Sequence, residues 1–196
     1  MPIIAGLDIA TSCGVAWVNP STSPSLWRCL AVESEGDTVW DAVDDFDDAL
    51  RSLLTETRPD FAVIERPLGV VVDYGGGPAK PGDKRMINAK TTIKLAGLAG
   101  AAIGVLNGLG IPYAMIADRT WRSAYFGQGY KPPENWKASA VEMARRQRIP
   151  LPDTKKAAHD AAEAIGIAVS WQRANTIPQR HQRAFMDLRV NHGRAA

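Results

Sequence analysis

Ile3-Ile4-Ala5-Gly6-Leu7-Asp8-Ile9, then Gly14-Val15-Ala16-Trp17-Val18, then Leu26-Trp27-Arg28-Cys29-Leu30-Ala31-Val32-Glu33, open the chain with three strand-forming runs. Asn19-Pro20 through Pro24 mark the turn between the last two, so the opening predicts an antiparallel meander of three strands. Asp37 or Thr38 then caps an amphipathic helix to about Glu56, with Val39, Trp40, Val43, Phe46, Leu50, Leu53 and Leu54 expected on one face. Phe61-Ala62-Val63-Ile64-Glu65 is a nearly continuous apolar run, suited to a strand buried on both sides, and it ends in a carboxylate. A helix from about 88 to 109, a fifth strand from 112 to 117, a short helix after Asp118 and a helix begun by Pro132-Pro133 complete the series. The order predicts an α/β fold: a mixed five-stranded sheet, three strands antiparallel and two parallel, flanked by helices.

Asp8 ends an otherwise apolar strand, and Glu65 ends another. If those strands are neighbours, both carboxylates project at the same sheet edge. Near the carboxyl end, His159-Asp160-Ala161-Ala162-Glu163-Ala164 places two more acids three residues apart, on one face of an apolar helix rich in small residues. Half-buried paired acids repel unless a cation lies between them. Oxygen donors, with no thiolate or multiple-His set, favour magnesium or manganese over zinc. Taken singly, Asp8 also suits a turn, and Glu65 also suits a pair with Arg66 or Lys90. Thr11 and Ser12, in the turn after Asp8, either bond a phosphate or shape that turn.

The 196 residues, 45% hydrophobic, suffice for one globular domain with a real core. Residues 1–172 are expected to form it, leaving 173–196 as a basic extension. No apolar run approaches the roughly 18 residues needed to span a bilayer, and no basic segment or cleavage site accompanies the first strand. A soluble, cytoplasmic protein is expected, with Cys13 and Cys29 reduced and structural.

The net charge of +2 conceals an asymmetry. Residues 37–60 carry a balance of −6 and residues 118–196 one of +7, so one end suits a polyanion. The aspartates of the first helix read as a solvated face. Residues 67–87 combine Gly75-Gly76-Gly77 with Lys80, Lys84 and Arg85, a basic loop without the Gly-Lys-Ser/Thr ending of a nucleotide-binding loop. The many Ala and Gly between 96 and 104 admit close approach by another helix, within the domain or across a dimer.

Gly6-Leu7-Asp8-Ile9-Ala10-Thr11-Ser12-Cys13-Gly14, Val63-Ile64-Glu65 and His159-Asp160-Ala161-Ala162-Glu163 together resemble the three acidic motifs of RuvC-type Holliday-junction resolvases. Order and approximate spacing agree over nearly the whole chain, and the short divergent form points to a phage or prophage member. The resemblance implies a ribonuclease-H-like fold and a metal-dependent endonuclease that cuts branched DNA, the four-way junction, as a homodimer and leaves 5′ phosphates. It implies that Asp8, Glu65, Asp160 and Glu163 hold two Mg2+ ions, which Mn2+ can replace. Such ions, about 3.5–4 Å apart, activate a water and stabilise the leaving oxygen. His159, one residue before the family's acidic position, is a ligand, a proton-transfer group or a satisfied helix residue. Arg122 and Lys137 match basic positions near the scissile phosphate, and Lys80, Lys84 and Arg85 are expected on DNA. Leu68 stands near where some members carry a junction-wedging aromatic, and it inserts between bases without stacking. Cleavage of structured RNA, or nucleic-acid binding without hydrolysis, are the competing readings. An actin-like phosphotransferase needs a second domain that 196 residues do not hold.

Overall fold

The computed structural model describes residues 2–66 and 89–170. Leu68, Lys80, Lys84, Arg85, the glycine-rich loop, the 172/173 boundary and the basic extension lie outside the described residues.

Five strands form one sheet: β1 (Ile4–Asp8), β2 (Ser12–Val18), β3 (Arg28–Glu33), β4 (Phe61–Glu65) and β5 (Tyr113–Ile116). Their order is β3-β2-β1-β4-β5, with β1–β2 and β2–β3 antiparallel and β1–β4 and β4–β5 parallel. This is the expected meander plus two parallel strands. The third strand starts at Arg28 rather than Leu26, because Pro24–Leu26 turns as a short 3-10 helix and leaves Leu26 exposed.

All side chains of β1 and β2 are buried, since helices cover both faces of the sheet. Alternation along the strands assigns the faces. Ala5, Leu7, Val15, Trp17, Ala62 and Ile64 pack on one side against α1 (Val39–Glu56) and α2 (Ala89–Gly108), chiefly through Phe46, Leu50, Leu54, Leu98 and Leu106. Ile4, Ala16, Val18, Phe61 and Val63 take the other side, against α3 (Asp118–Phe126), α4 (Trp136–Arg146) and α5 (Lys155–Ser170). Asp8 and Glu65 share the parity of Ile4 and Phe61, so they belong to the α5 side.

Thr38 caps α1 through a reciprocal box: its hydroxyl accepts from Asp41 N, and the Asp41 carboxylate accepts from Thr38 N at 2.9 Å. The buried line of this helix is Ala42, Phe46, Leu50 and Leu54. Trp40, expected on that face, is instead 69% exposed, because it lies two residues, about 200°, round the helix from Ala42. Helix α4 begins at Trp136 rather than at Pro132-Pro133: Asn135 Oδ1 accepts from Ala138 N at 2.9 Å and sets its start. Close approach along the small-residue helix α2 is realised at Gly97, against Val43 of α1, whereas Gly100 and Gly104 have nothing within 4 Å among the described residues.

Helix α5 is buried on nearly all sides. Two glycines permit its depth. A Cβ on Gly6 would lie 2.0 Å from Ala164 O, and one on Gly14 would lie 2.0 Å from Asp160 O. The backbone of α5 therefore rests directly on β1 and β2, closer than any side chain allows. Cys13 and Cys29 are free thiols that donate to Ala10 O and Pro150 O. Burial pushes both up to about 12, so they stay protonated and structural.

Candidate metal and nucleic-acid site

Strand β1 pairs with β4 in the register Leu7↔Ile64, which sets Asp8 and Glu65 side by side at the carboxyl ends of two parallel strands. Helix α5, seated on Gly6 and Gly14, brings Asp160 and Glu163 over them. The four expected acids thus converge from three distant parts of the chain. Asp8, Asp160 and Glu163 are each at most 5% exposed, and Glu65 is half-buried.

Two cations neutralise the cluster. Lys137 of α4 places its ammonium on Asp160 Oδ1 and 3.4 Å from Glu163 Oε2. Arg122 of α3 stands 3.7 Å from Glu163 Oε1 and 3.3 Å from Asp118 Oδ2. Both were expected on DNA, and in this structure both lie on the acids. The Arg122 guanidinium is also sandwiched between Trp121 and Trp136, 5.3 and 5.1 Å from the ring centroids. That clamp was missed in the sequence. Trp136 sits fourteen residues beyond Arg122, and only the packing of α3 against α4 joins them.

Burial raises Asp8 well above the usual carboxylate range, reinforced by the charges of Glu163 and Glu65 and by a hydrogen bond shared with Glu65. Glu65 and Glu163 are also raised, again first by burial. Burial opposes the charge on Lys137, yet its hydrogen bond to Asp160 and the charges of Glu163 and Asp160 prevail and raise it. Burial, with Lys137 and Lys155, lowers His159.

These shifts predict the pH dependence of the metal-free protein. A carboxyl whose folded pKa exceeds its unfolded one stabilises the fold fully below the unfolded value and loses that contribution as pH rises through the folded one. Metal-free stability is therefore expected to fall as pH climbs from the ordinary carboxylate range toward neutrality, opposite to the usual acid denaturation. His159, lowered first by burial, acts the other way below about pH 6.5. Melting in EDTA across this range checks the sign, and Mg2+ is expected to flatten the curve.

Among the described residues, no three His, Cys, Asp or Glu side chains stand in ready ligating geometry. Lys137 bridges Asp160 and Glu163 in this structure. The donor set nonetheless fits a hard divalent ion. It is all oxygen, burial raises Asp8, Glu65 and Glu163, and Asp8 Oδ2 is buried with no hydrogen-bond partner among the described residues.

His159 does not join the acids. It lines a cleft of about 430 Å³ with Thr11, Ser12, Lys137, Lys155, Lys156 and Asp160, so the cleft opens onto one of the acids. A second cleft, of about 260 Å³ and lined by Arg119, Arg122, Tyr130 and Trp136, lies on the α3–α4 side. Lys155 and Lys156 were missed as cleft residues, since two lysines at a helix start read as ordinary solvated surface.

Sheet order and the central helix packed on the sheet define a ribonuclease-H-like fold. No family model matches the sequence, and no curated protein matches it. Among solved structures, the chain resembles Thermus thermophilus RuvC in complex with Holliday junction substrate, with a TM-score of 0.62 and 16% identity over 88% of this chain and 94% of that one. A second Thermus thermophilus RuvC structure gives 0.57 and 16% identity, covering 87% and 93%. The yeast mitochondrial Holliday junction resolvase Ydc2 gives 0.50 and 13% identity, covering 98% and 86%. The likeness to these resolvases is one of fold. Among the described residues, no helix is long and apolar enough to cross a membrane.

Proposed function

We propose that the chain is a metal-dependent endonuclease that hydrolyses phosphodiester bonds in branched DNA, resolving four-way junctions and leaving 5′ phosphates. The convergence of Asp8, Glu65, Asp160 and Glu163 beneath α5, with an orphaned Asp8 oxygen, carries this reading. A protein that only binds nucleic acid has no use for four converging acids facing a polyanion. These carboxylates would hold two Mg2+ or Mn2+ ions, which supply an activated water and charge stabilisation at the leaving oxygen. Asp8 and Glu65 orient from rigid strand ends, and Asp160 and Glu163 from a helix seated by direct backbone contact, so side-chain rotation and release of Lys137 suffice to bring the donors together. Lys137 and Arg122 neutralise the acids when no ion is present and stand at the rim where a strand phosphate would lie. The clamp of Trp121 and Trp136 keeps the Arg122 guanidinium from following solvent. A homodimer with two-fold symmetry would set two such sites on opposed strands of the junction.

The test is a nicking assay with Mg2+ on a synthetic four-way junction, the matching linear duplex and a structured RNA. Paired nicks in the junction with 5′-phosphate ends are expected, with the linear duplex intact. Equal cutting of both DNAs rejects branch selectivity and spares the chemistry. Cutting of the RNA alone transfers the activity to RNA. Absence of both cutting and Mg2+ or Mn2+ binding makes the chain a binding module.

A further inference from the structure

The cleft beside the acids, between the β1–β2 turn and the first turn of α5, has the makings of an anion seat that the acid chemistry does not use. Of its lysines, Lys137 is engaged by Asp160 and Glu163. Lys155 makes no ion pair among the described residues. Lys156 pairs with Glu33 at 2.8 Å, but both side chains are more than half exposed, and such a pair exchanges readily for a better partner. Asp160, which lines the cleft, is thus already paired with Lys137. The leading N–H groups of α5 add partial positive charge. Thr154 satisfies those of Ala157, through its side chain at 3.3 Å, and Ala158, through its carbonyl at 2.9 Å, which leaves the N–H groups of Lys155 and Lys156 without an acceptor inside the helix.

An independent observation comes from the opposite wall. Ser12 is only 3% exposed and lines the cleft, yet its Oγ has no hydrogen-bond partner among the described residues. A buried hydroxyl left unpaired is unfavourable. An acceptor oxygen arriving in the cleft would remove that penalty.

We infer that this cleft seats a backbone phosphate of the substrate strand other than the one that is cut, held by Lys155, Lys156, the α5 N-terminus and the Ser12 hydroxyl. The inference rests on the proposal that a nucleic-acid strand crosses the acid cluster. The seat adjoins the acids through Lys137 and Asp160, so a phosphate here fixes the register of the strand while carrying no sequence information.

Two measurements test it. The first is the affinity of native protein and Lys155→Ala for a four-way junction in EDTA, read as a function of salt. Loss of one phosphate contact is expected to lower the slope of log affinity against log salt by about 0.9 and to weaken binding roughly fivefold, equally on junction and linear duplex. The second uses Ser12→Ala, which is expected to melt at or above the native temperature in phosphate-free buffer. Inorganic phosphate at about 50 mM is expected to raise the native melting temperature more than that of Ser12→Ala, since general salting-out acts on both alike. An unchanged salt slope in Lys155→Ala, or equal phosphate shifts in native protein and Ser12→Ala, overturns the seat. The outcomes separate the two proposals. Nicking by native protein with an unchanged slope removes the seat alone, whereas a phosphate shift specific to Ser12 without any nicking keeps the seat and removes the nuclease.

Discussion

Asp8→Asn is expected to lose at least about a thousandfold in junction nicking while melting higher than the native protein in metal-free buffer at neutral pH. The two effects share a cause. Asp8 is almost fully buried, and burial together with Glu163 and Glu65 penalises its charge. Asparagine keeps the shape, and its amide can donate to Glu65, so the hydrogen bond survives while the charge goes. Relief of one buried like-charge contact amounts to about 1–3 kcal/mol, or roughly 5 °C for a domain of this size. The same change removes a ligand from the proposed metal set. Mg2+ should therefore raise the native melting temperature clearly and that of Asp8→Asn much less. Junction binding in EDTA should persist in the variant. Nicking at the native rate, or a lower melting temperature at neutral pH, would refute the assignment of Asp8. A variant more stable than its parent and inactive would mark the acid cluster as a place where stability is given up for function.

Gly14→Ala should damage both stability and activity from a residue that carries no chemistry. The added Cβ would stand 2.0 Å from Asp160 O and 2.6 Å from Asp160 C, both backbone atoms of a helix buried on nearly all sides. Neither partner has a rotamer to yield, so α5 must lift from the sheet by more than about 1 Å, since 2.0 Å falls roughly 1.4 Å short of ordinary contact. Overpacking of this kind costs about 3 kcal/mol, roughly 6–12 °C in melting temperature. A shift of about 1 Å in Asp160 relative to Asp8 is expected to lower nicking at least about a hundredfold. Gly104→Ala is the control: nothing lies within 4 Å of the added methyl among the described residues, and the position is inside α2. It should stabilise by about 0.5–1 kcal/mol and leave nicking unchanged. Equal behaviour of the two variants would show that α5 does not depend on direct contact with β2.

Much of the site was legible because isolated acids in apolar runs are conspicuous. Asp8 and Glu65 end strands of near-continuous hydrophobicity, and Asp160 and Glu163 interrupt a helix of alanine and isoleucine; each placement makes sense only if the acids meet. The cations around them were half legible. Arg122 and Lys137 were picked out by resemblance, but their ion pairs with Glu163 and Asp160 depend on how α3 and α4 lean on α5. Trp40 misled, because a tryptophan two residues from the buried line still suits a loosely drawn amphipathic face. Lys155 and Lys156 gave no signal, since a charge at a helix start is ordinary until a wall stands opposite it.

By itself, the sequence determined the element order, the opening antiparallel meander and the four acids singled out as candidates. These follow from local patterns: alternation, apolar runs, and carboxylates where apolar surroundings penalise them. Tertiary structure alone decided the depth of α5 on Gly6 and Gly14, the Lys137 bridge between Asp160 and Glu163, and the cleft between Ser12 and Lys155. Those features are distances between segments far apart in the chain, and such distances arise only when the whole domain packs.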